Sequence, residues 1–260
     1  MKNWRMVCLF LLLVLNACTL DSLSAKPCGQ DPSCVRILFI GNSYTFTNDL
    51  PGTLVKLAEA GGHRVETGMA ATGGWALSDH IKSADSLAQI SASKWNYVVL
   101  QEQSMIPASI SARQTQMFPA TRELADKIRT TGAKTILFIT WAHKDGWPEN
   151  KMPDYESMQV AINSGYITLG QQLQARLAPV GYAWLYLHQK NPQLNLWQDD
   201  GSHPNESGTY LAACVFYTVL FQQSPEGLTY QGNLTTESAN LLQKMAAETV
   251  LKYEKSWNLP

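Results

Sequence analysis

The feature that most constrains this chain is an alternation that begins at Val35 and runs to the C-terminus. Short, strongly apolar runs of strand length trade places with longer segments of helical periodicity. Val35 to Ile40 reads as a strand buried on both faces. Arg64 to Met69, Tyr97 to Leu100, Thr135 to Thr140 and Ala183 to Leu187 read as four more strands. Between and after them, helices are expected over Asp49–Ala60, Ser109–Thr131, Tyr155–Ala178, Asn205–Phe221 and Thr236–Tyr253. Pro51 suits a first helical turn, Gly61-Gly62 and Gly132 suit helix stops, and Pro179 closes the long third helix. Strands separated by helices pair in parallel through right-handed crossovers. The expected architecture is therefore one three-layer α/β/α sandwich over residues 35–260, with a mostly parallel five-stranded sheet. A chain of 260 residues has room for one such core, and no repeat, low-complexity block or long linker interrupts it.

Open sheets of this kind bind ligands beyond the carboxyl ends of their strands. The loop after the first expected strand is Gly41-Asn42-Ser43-Tyr44-Thr45, which sets a serine at the mouth of the sheet, just ahead of a helix. Gly41 is expected to relieve crowding at that turn. By itself such a serine more often caps a turn. A serine hydroxyl also stays protonated at neutral pH, so a nucleophilic role needs a base beside it. Asp200-Gly201-Ser202-His203-Pro204, ahead of the next-to-last helix, supplies one. The three-residue offset puts the Asp200 carboxylate beside the His203 imidazole. Asp200 can accept from Nδ1–H and leave Nε2 free to take a proton from Ser43. Asp199 is a rival acid without that offset; the plain alternative for the segment is a capping loop with an exposed histidine.

The Gly-x-Ser and Asp-x-x-His blocks together resemble the SGNH/GDSL hydrolase superfamily. The match is to a bacterial subgroup with Gly-Asn-Ser-Tyr-Thr, Leu-Gln-Glu-Gln-Ser and Asp-Gly-Ser-His-Pro blocks. All three stand here in order, at residues 41–45, 100–104 and 200–204. The resemblance spans about Ile37 to Phe221 and implies a flavodoxin-like fold. It also implies a serine esterase with Ser43, His203 and Asp200 as catalytic residues, and no cofactor. Family members hold the oxyanion with the nucleophile's N–H, a glycine N–H and an asparagine amide. The resemblance places Ser43 and Gly73, or else Gly74, in the first two roles. The third block departs from the usual Gly-x-Asn-Asp: Gln103 falls at the asparagine position, with Gln101 as the other option. The first block departs too, with Asn42 where Asp is usual. Glu102 reads as a structural carboxylate or a substrate contact.

The remaining aromatic and histidine residues carry weaker signals. His143 follows the fourth expected strand and is a candidate second base. His188, after the fifth, reads as structural, and His63 and His80 belong to no constellation. Trp147, Trp184 and Trp197 suit either stacking on sugar rings or packing. Thr45 stands where a Gly-x-Ser-x-Gly elbow would have its second glycine, and there is no phosphate loop or dinucleotide fingerprint. An ester of a small acyl group on a carbohydrate is the expected substrate. A lipid esterase, an acyltransferase and a non-catalytic glycan-binding protein on the same scaffold are the alternatives.

The N-terminus points to export. Lys2 and Arg5 precede an apolar run, Met6 to Leu15, that is too short to span a bilayer. It ends in Leu15-Asn16-Ala17-Cys18, which resembles a bacterial lipobox. Residues 1–17 are then a signal peptide, Cys18 the lipidated residue and residues 18–34 a tether, in an envelope lipoprotein whose Thr19 suits the outer membrane. Cleavage after Ala25 would instead give a soluble exported protein. Of five cysteines, Cys8 leaves with the signal, and Cys28 and Cys34 are expected to pair in an oxidising compartment. Cys214 is expected as a buried free thiol. No cysteine or histidine pair has zinc spacing. A net charge of −1 gives no electrostatic footprint for nucleic acid.

Overall fold

A computed structural model describes residues 28–260. The signal peptide, Cys18 and most of the tether lie outside the described residues. The sheet has five parallel strands in the order β2-β1-β3-β4-β5: β1 Val35–Gly41, β2 Val65–Ala71, β3 Tyr97–Leu100, β4 Lys134–Phe138 and β5 Arg176–Ala178. Ile37 to Ile40 and Val98 to Leu100 are wholly buried, as central strands covered on both faces must be. Helices α1 (Ser43–Phe46), α2 (Leu50–Ala60), α3 (Leu77–His80), α4 (Ala84–Ser91), α5 (Ile110–Ala112), α6 (Phe118–Thr130), α7 (Tyr155–Leu173), α8 (Val180–Lys190), α9 (Glu206–Phe221) and α10 (Thr236–Leu251) complete the chain. Helices α2 and α9 pack together over one face, with α8 and α10 beside α9; α3, α4, α6 and α7 cover the other. This is the expected three-layer α/β/α sandwich. None of the described helices is long and apolar enough to cross a membrane.

Two expectations about the C-terminal half are corrected. The fifth strand is Arg176–Ala178, not Ala183–Leu187, and the long helix before it stops at Leu173 rather than Ala178. The stop is Gln174, whose left-handed backbone (φ 50°) ends the helix five residues before Pro179. Ala183–Leu187 belongs to α8, whose buried residues Val180, Ala183, Trp184 and Leu187 follow helical spacing. A short apolar run satisfies both periods, and here the helical one holds. The Asp200–Pro204 segment therefore joins α8 to α9 rather than following a strand. The expected helix Ser109–Thr131 carries a wide π turn at Arg113–Met117. Pro119, lacking an N–H and crowding the preceding turn, stands two residues beyond it.

Cys28 and Cys34 form a disulfide, with Cα atoms 5.6 Å apart. The loop they close is seated at the start of the sheet. The Cys28 N–H donates to Glu66 (2.6 Å), Arg36 Nη2 donates to the Gly29 carbonyl (2.6 Å), and Arg64 pairs with Asp31 (2.6 Å). Cys214 is the buried free thiol expected, and burial raises its pKa far above the usual thiol value.

Beyond β4, the chain is held by buried polar contacts. Gln159 of α7 donates to the Thr140 carbonyl (3.0 Å) and accepts from the Ala142 N–H (2.7 Å). Gly181 donates to the Ile139 carbonyl (2.8 Å) so closely that a Cβ on it would meet the Thr140 carbonyl and the Gln159 amide. Gly181→Ala is expected to destabilise the protein by about 1–3 kcal/mol through this overpacking, read by equilibrium urea unfolding.

Candidate functional site

The site is built at the carboxyl ends of β1, β2 and β3, from the loops that follow them, and from the α8–α9 connection. Ser43 is the first residue of α1. Asn42 caps that helix, its Oδ1 accepting from the Tyr44 N–H (3.1 Å). The loop is fastened to the end of β3 by Gln101, which is wholly buried. Gln101 Oε1 accepts from the Asn42 N–H (2.8 Å) and the Thr45 hydroxyl (2.9 Å), while its Nε2 donates to Asn42 Oδ1 (2.9 Å) and the Glu102 carbonyl (2.5 Å). Gly41 is required by this approach, because a Cβ there would collide with Gln101 and Thr45. Its glycine thus serves packing rather than the turn itself. The Asn42 amide also reaches the loop after β2, where its Nδ2 donates to the Trp75 carbonyl (2.9 Å).

His203 meets Ser43 from the other side. Its Nε2 lies 2.9 Å from Ser43 Oγ, and its Nδ1 lies 2.5 Å from Asp200 Oδ2. A carboxylate can only accept, so Nδ1 carries the proton and Nε2 is left bare toward the serine. Asp200 Oδ1 accepts from the Ser202 and His203 N–H groups, each at 2.9 Å. Partial burial opposes the Asp200 charge, but the hydrogen bonds from the His203 ring and the two N–H groups outweigh it and hold the pKa down to about 2. The Asp200 side chain is 48% exposed, so its pairing orients the ring more than it stabilises the fold. Among the described residues, the carboxylate hydrogen-bonded to the ring is that of Asp200, not Asp199.

An aromatic ladder fixes the turn that bears His203. Tyr44 stacks on Trp141 (4.5 Å), and Trp141 stacks on Trp184 (4.2 Å). The Tyr44 hydroxyl meets Ser202 Oγ at 2.8 Å, and Trp141 Nε1 donates to the Ser202 carbonyl at 2.9 Å. Tyr44 also sets its edge against the His203 ring (5.8 Å). Trp184 and Trp197 are buried in this packing, which removes both as sugar platforms. Trp147 is partly buried and bridges to Met152. His188 lies on α8 against Tyr155 and Trp197, a structural contact.

Two backbone donors stand uncommitted in the loops after β1 and β2. Among the described residues, nothing accepts from the Ser43 or Gly73 N–H. Gly73 is exposed, and a Cβ on it would face only Phe46, at 3.9 Å. Gly74, with φ +76°, is the glycine that the backbone itself demands. Gln103 Oε1 accepts from the Met105 (2.8 Å) and Ile106 (3.2 Å) N–H groups, so its amide nitrogen is turned away from them, with one long contact to Ser104 Oγ (3.3 Å). Gln101, by contrast, has both amide protons engaged and none to offer a ligand.

Two further histidines are at least partly buried in this region: His80, which the sequence left without a role, and His143, the candidate second base. His80 is buried, with Nε2 2.8 Å from the Gly41 carbonyl and Nδ1 2.8 Å from Ser86 Oγ. The carbonyl can only accept, so Nε2–H donates and Nδ1 accepts from the serine. Burial lowers its pKa against the pull of the Gly41 carbonyl and Asp79, which favours this neutral ring. His143 lies 3.1 Å from Ser104 Oγ; burial lowers its pKa, with the nearby Asp200 opposing and His203 adding to the shift. It shares no hydrogen bond with Ser43. No group of side chains that could hold a metal ion occurs among the described residues.

No protein-family model matches this chain, and no curated protein does. Solved structures do. A DUF4886 family protein from Bacteroides uniformis superposes with a TM-score of 0.71 at 17% identity, over 85% of this chain and 96% of that one. A candidate SGNH hydrolase from Slackia heliotrinireducens gives 0.60 at 25% identity, over 71% and 97%. An acetyl xylan esterase gives 0.57 at 15% identity, over 72% and 100%. The fold is thus related to that of the SGNH/GDSL superfamily.

The buried Asn42 amide gives a direct check on the local design. Asn42→Asp replaces the donor to Trp75 with a carboxylate facing that carbonyl. The variant is expected to lose about 1–3 kcal/mol of stability at neutral pH, read by thermal or urea unfolding, with part of the loss recovered in acid as the carboxyl protonates.

Proposed function

We propose that this protein is a serine esterase of the SGNH type that removes small acyl groups, acetyl above all, from a carbohydrate. The observation that carries the reading is the unbroken run from Ser43 Oγ through His203 to Asp200, at 2.9 and 2.5 Å. His203 takes the Ser43 proton as Oγ attacks the ester carbonyl. The oxyanion that forms is held by the Ser43 and Gly73 N–H groups and the Gln103 amide. His203 then protonates the leaving alcohol, and a water activated by the same imidazole hydrolyses the acyl-enzyme. Besides the ester, the cycle consumes one water.

A carbohydrate leaving group is supported by the surface next to Asp200. A pocket of about 270 Å³ there is lined by Lys144, Asp145, Asn195, Gln198, Asp199, Asp200 and Gly201, with no apolar side chain among them. Such a lining suits a hydroxyl-rich alcohol rather than a fatty acyl chain. The likeness in fold to an acetyl xylan esterase points the same way. We place the enzyme in the bacterial envelope, lipidated on Cys18, on the strength of the Leu15–Cys18 segment.

A panel of acetyl, butyryl and octanoyl esters run beside acetylated polysaccharides tests the substrate class. Acetyl esters are expected to give the highest kcat/KM, and Ser43→Ala is expected to lower kcat by about 10³-fold or more. A preference for octanoyl esters would favour a lipid substrate. Acyl products formed on an added acceptor alcohol in place of free acid would mark a transferase.

A further inference from the structure

The proposed chemistry uses Ser43, His203 and Asp200 and leaves one buried carboxyl group without a role. Glu102 follows β3 directly and is wholly buried. Its Oε1 accepts from the Leu77 N–H (3.0 Å) and from the Gln103 N–H (2.8 Å). Leu77 opens α3, at the end of the loop that carries Gly73 to Trp75. Gln103 lies in the loop after β3. One carboxylate oxygen therefore joins the two loops that bear the proposed oxyanion donors other than Ser43. The backbone of Glu102 is held as well, its N–H donating to the Tyr166 hydroxyl of α7 (3.1 Å).

The second oxygen is the telling one. Glu102 Oε2 is buried and has no hydrogen-bond partner among the described residues. A proton on Oε2 would have nothing to donate to. A proton on Oε1 would displace one of the two N–H groups. Either form weakens the junction, because hydrogen bonds to an ionised acceptor are roughly twice as strong as neutral ones.

We propose that Glu102 is a positioning residue whose ionised carboxylate clamps the Gly73 loop to the Gln103 loop, so that its deprotonation completes the oxyanion side of the site. This rests on the esterase reading above. Burial is the main force on the group and pushes its pKa up to about 7, against the pull of the Gln103 and Leu77 N–H groups. The titratable groups acting on it are Asp79 of α3, a like charge that adds to the rise, and Tyr166 of α7, itself raised far above the usual phenol value by burial. Neither neutralises it. Asp79 instead accepts from the Ala76 N–H (2.9 Å), stiffening the same loop. Loss of Glu102 charge on mild acidification thus loosens the oxyanion donors while leaving Ser43, His203 and Asp200 in place.

The test compares wild type with Glu102→Gln, which keeps the shape and one acceptor oxygen but cannot ionise. At about pH 8.5 the variant is expected to lose about 10–100-fold in kcat with KM close to wild type, as for a small misplacement of catalytic donors. The acid limb of its log(kcat/KM) profile is expected to need one deprotonation fewer than that of wild type. A profile that superimposes on wild type overturns the clamp. A second arm needs no activity. A folded pKa raised above the unfolded value gives stability that is present below the unfolded value and lost as pH rises through the folded one. Wild type is therefore expected to lose thermal stability relative to Glu102→Gln between about pH 4.5 and about pH 8, and a pH-invariant difference overturns the proposal. If wild type neither hydrolyses an ester nor reacts with a fluorophosphonate, the esterase reading fails, and the stability arm still decides whether Glu102 ionises in that window.

Discussion

Asn42 and Gln101 exchange hydrogen bonds in both directions, and the remainder of the site is built outward from that pair. The bond from the Asn42 N–H and the bond back to Asn42 Oδ1 tie the Ser43 loop to the end of the neighbouring central strand. Buried amide pairs of this sort hold position because breaking either half leaves a donor or acceptor stranded away from water. Gly41 lets Gln101 approach, Thr45 adds a third bond to it, and the spare Asn42 proton reaches the loop after β2. His80 closes the arrangement from behind by donating to the Gly41 carbonyl. Ser43 is the outward-facing end of a fully connected polar network.

Asn42, where the usual first block has aspartate, and Gln101, two residues before the Gln103 departure, are matched to each other. An aspartate at position 42 could not donate to Trp75, and a glycine at position 101 would leave the Asn42 N–H without its partner and Oδ1 with the Tyr44 N–H alone. Asparagine in the first block and glutamine at the start of the third satisfy each other. The next two residues divide the remaining work: Glu102 joins loops, and Gln103 turns its carbonyl oxygen inward onto Met105 and Ile106. On the opposite side, Tyr44, Trp141 and Trp184 stack from the site into the core and hold Ser202, which sets the His203 turn. One side of the cleft is thus held by polar bonds and the other by aromatic packing.

The strand-to-helix rhythm made the architecture legible, because central parallel strands such as Ile37–Ile40 must be apolar on both faces. The Asp200-x-x-His203 spacing made the pairing of acid and imidazole legible, since a turn of that length brings the two side chains together whatever surrounds them. The edge of the sheet was not legible. Arg176–Ala178 is only three residues long and merges with the helix before it, while Ala183–Leu187 carries an apolar run that strand and helix both satisfy. The tryptophans were ambiguous for a related reason: an indole that packs and one that stacks on a sugar look alike in sequence, and only burial separates Trp184 and Trp197 from a binding surface. The roles of Gln101, Glu102 and His80 depend on which backbone atoms end up beside them across 25 to 59 residues of chain, and no local pattern carries that information.

Everything proposed for the site turns on His203, oriented by Asp200, making Ser43 a nucleophile. The most direct measurement is mass-spectrometric mapping of the adduct left by a fluorophosphonate on the folded protein, with His203→Ala as the control. A single adduct on Ser43, formed far more slowly in the control, is the predicted result. A folded protein that carries no adduct, or carries it on another residue, would contradict the account.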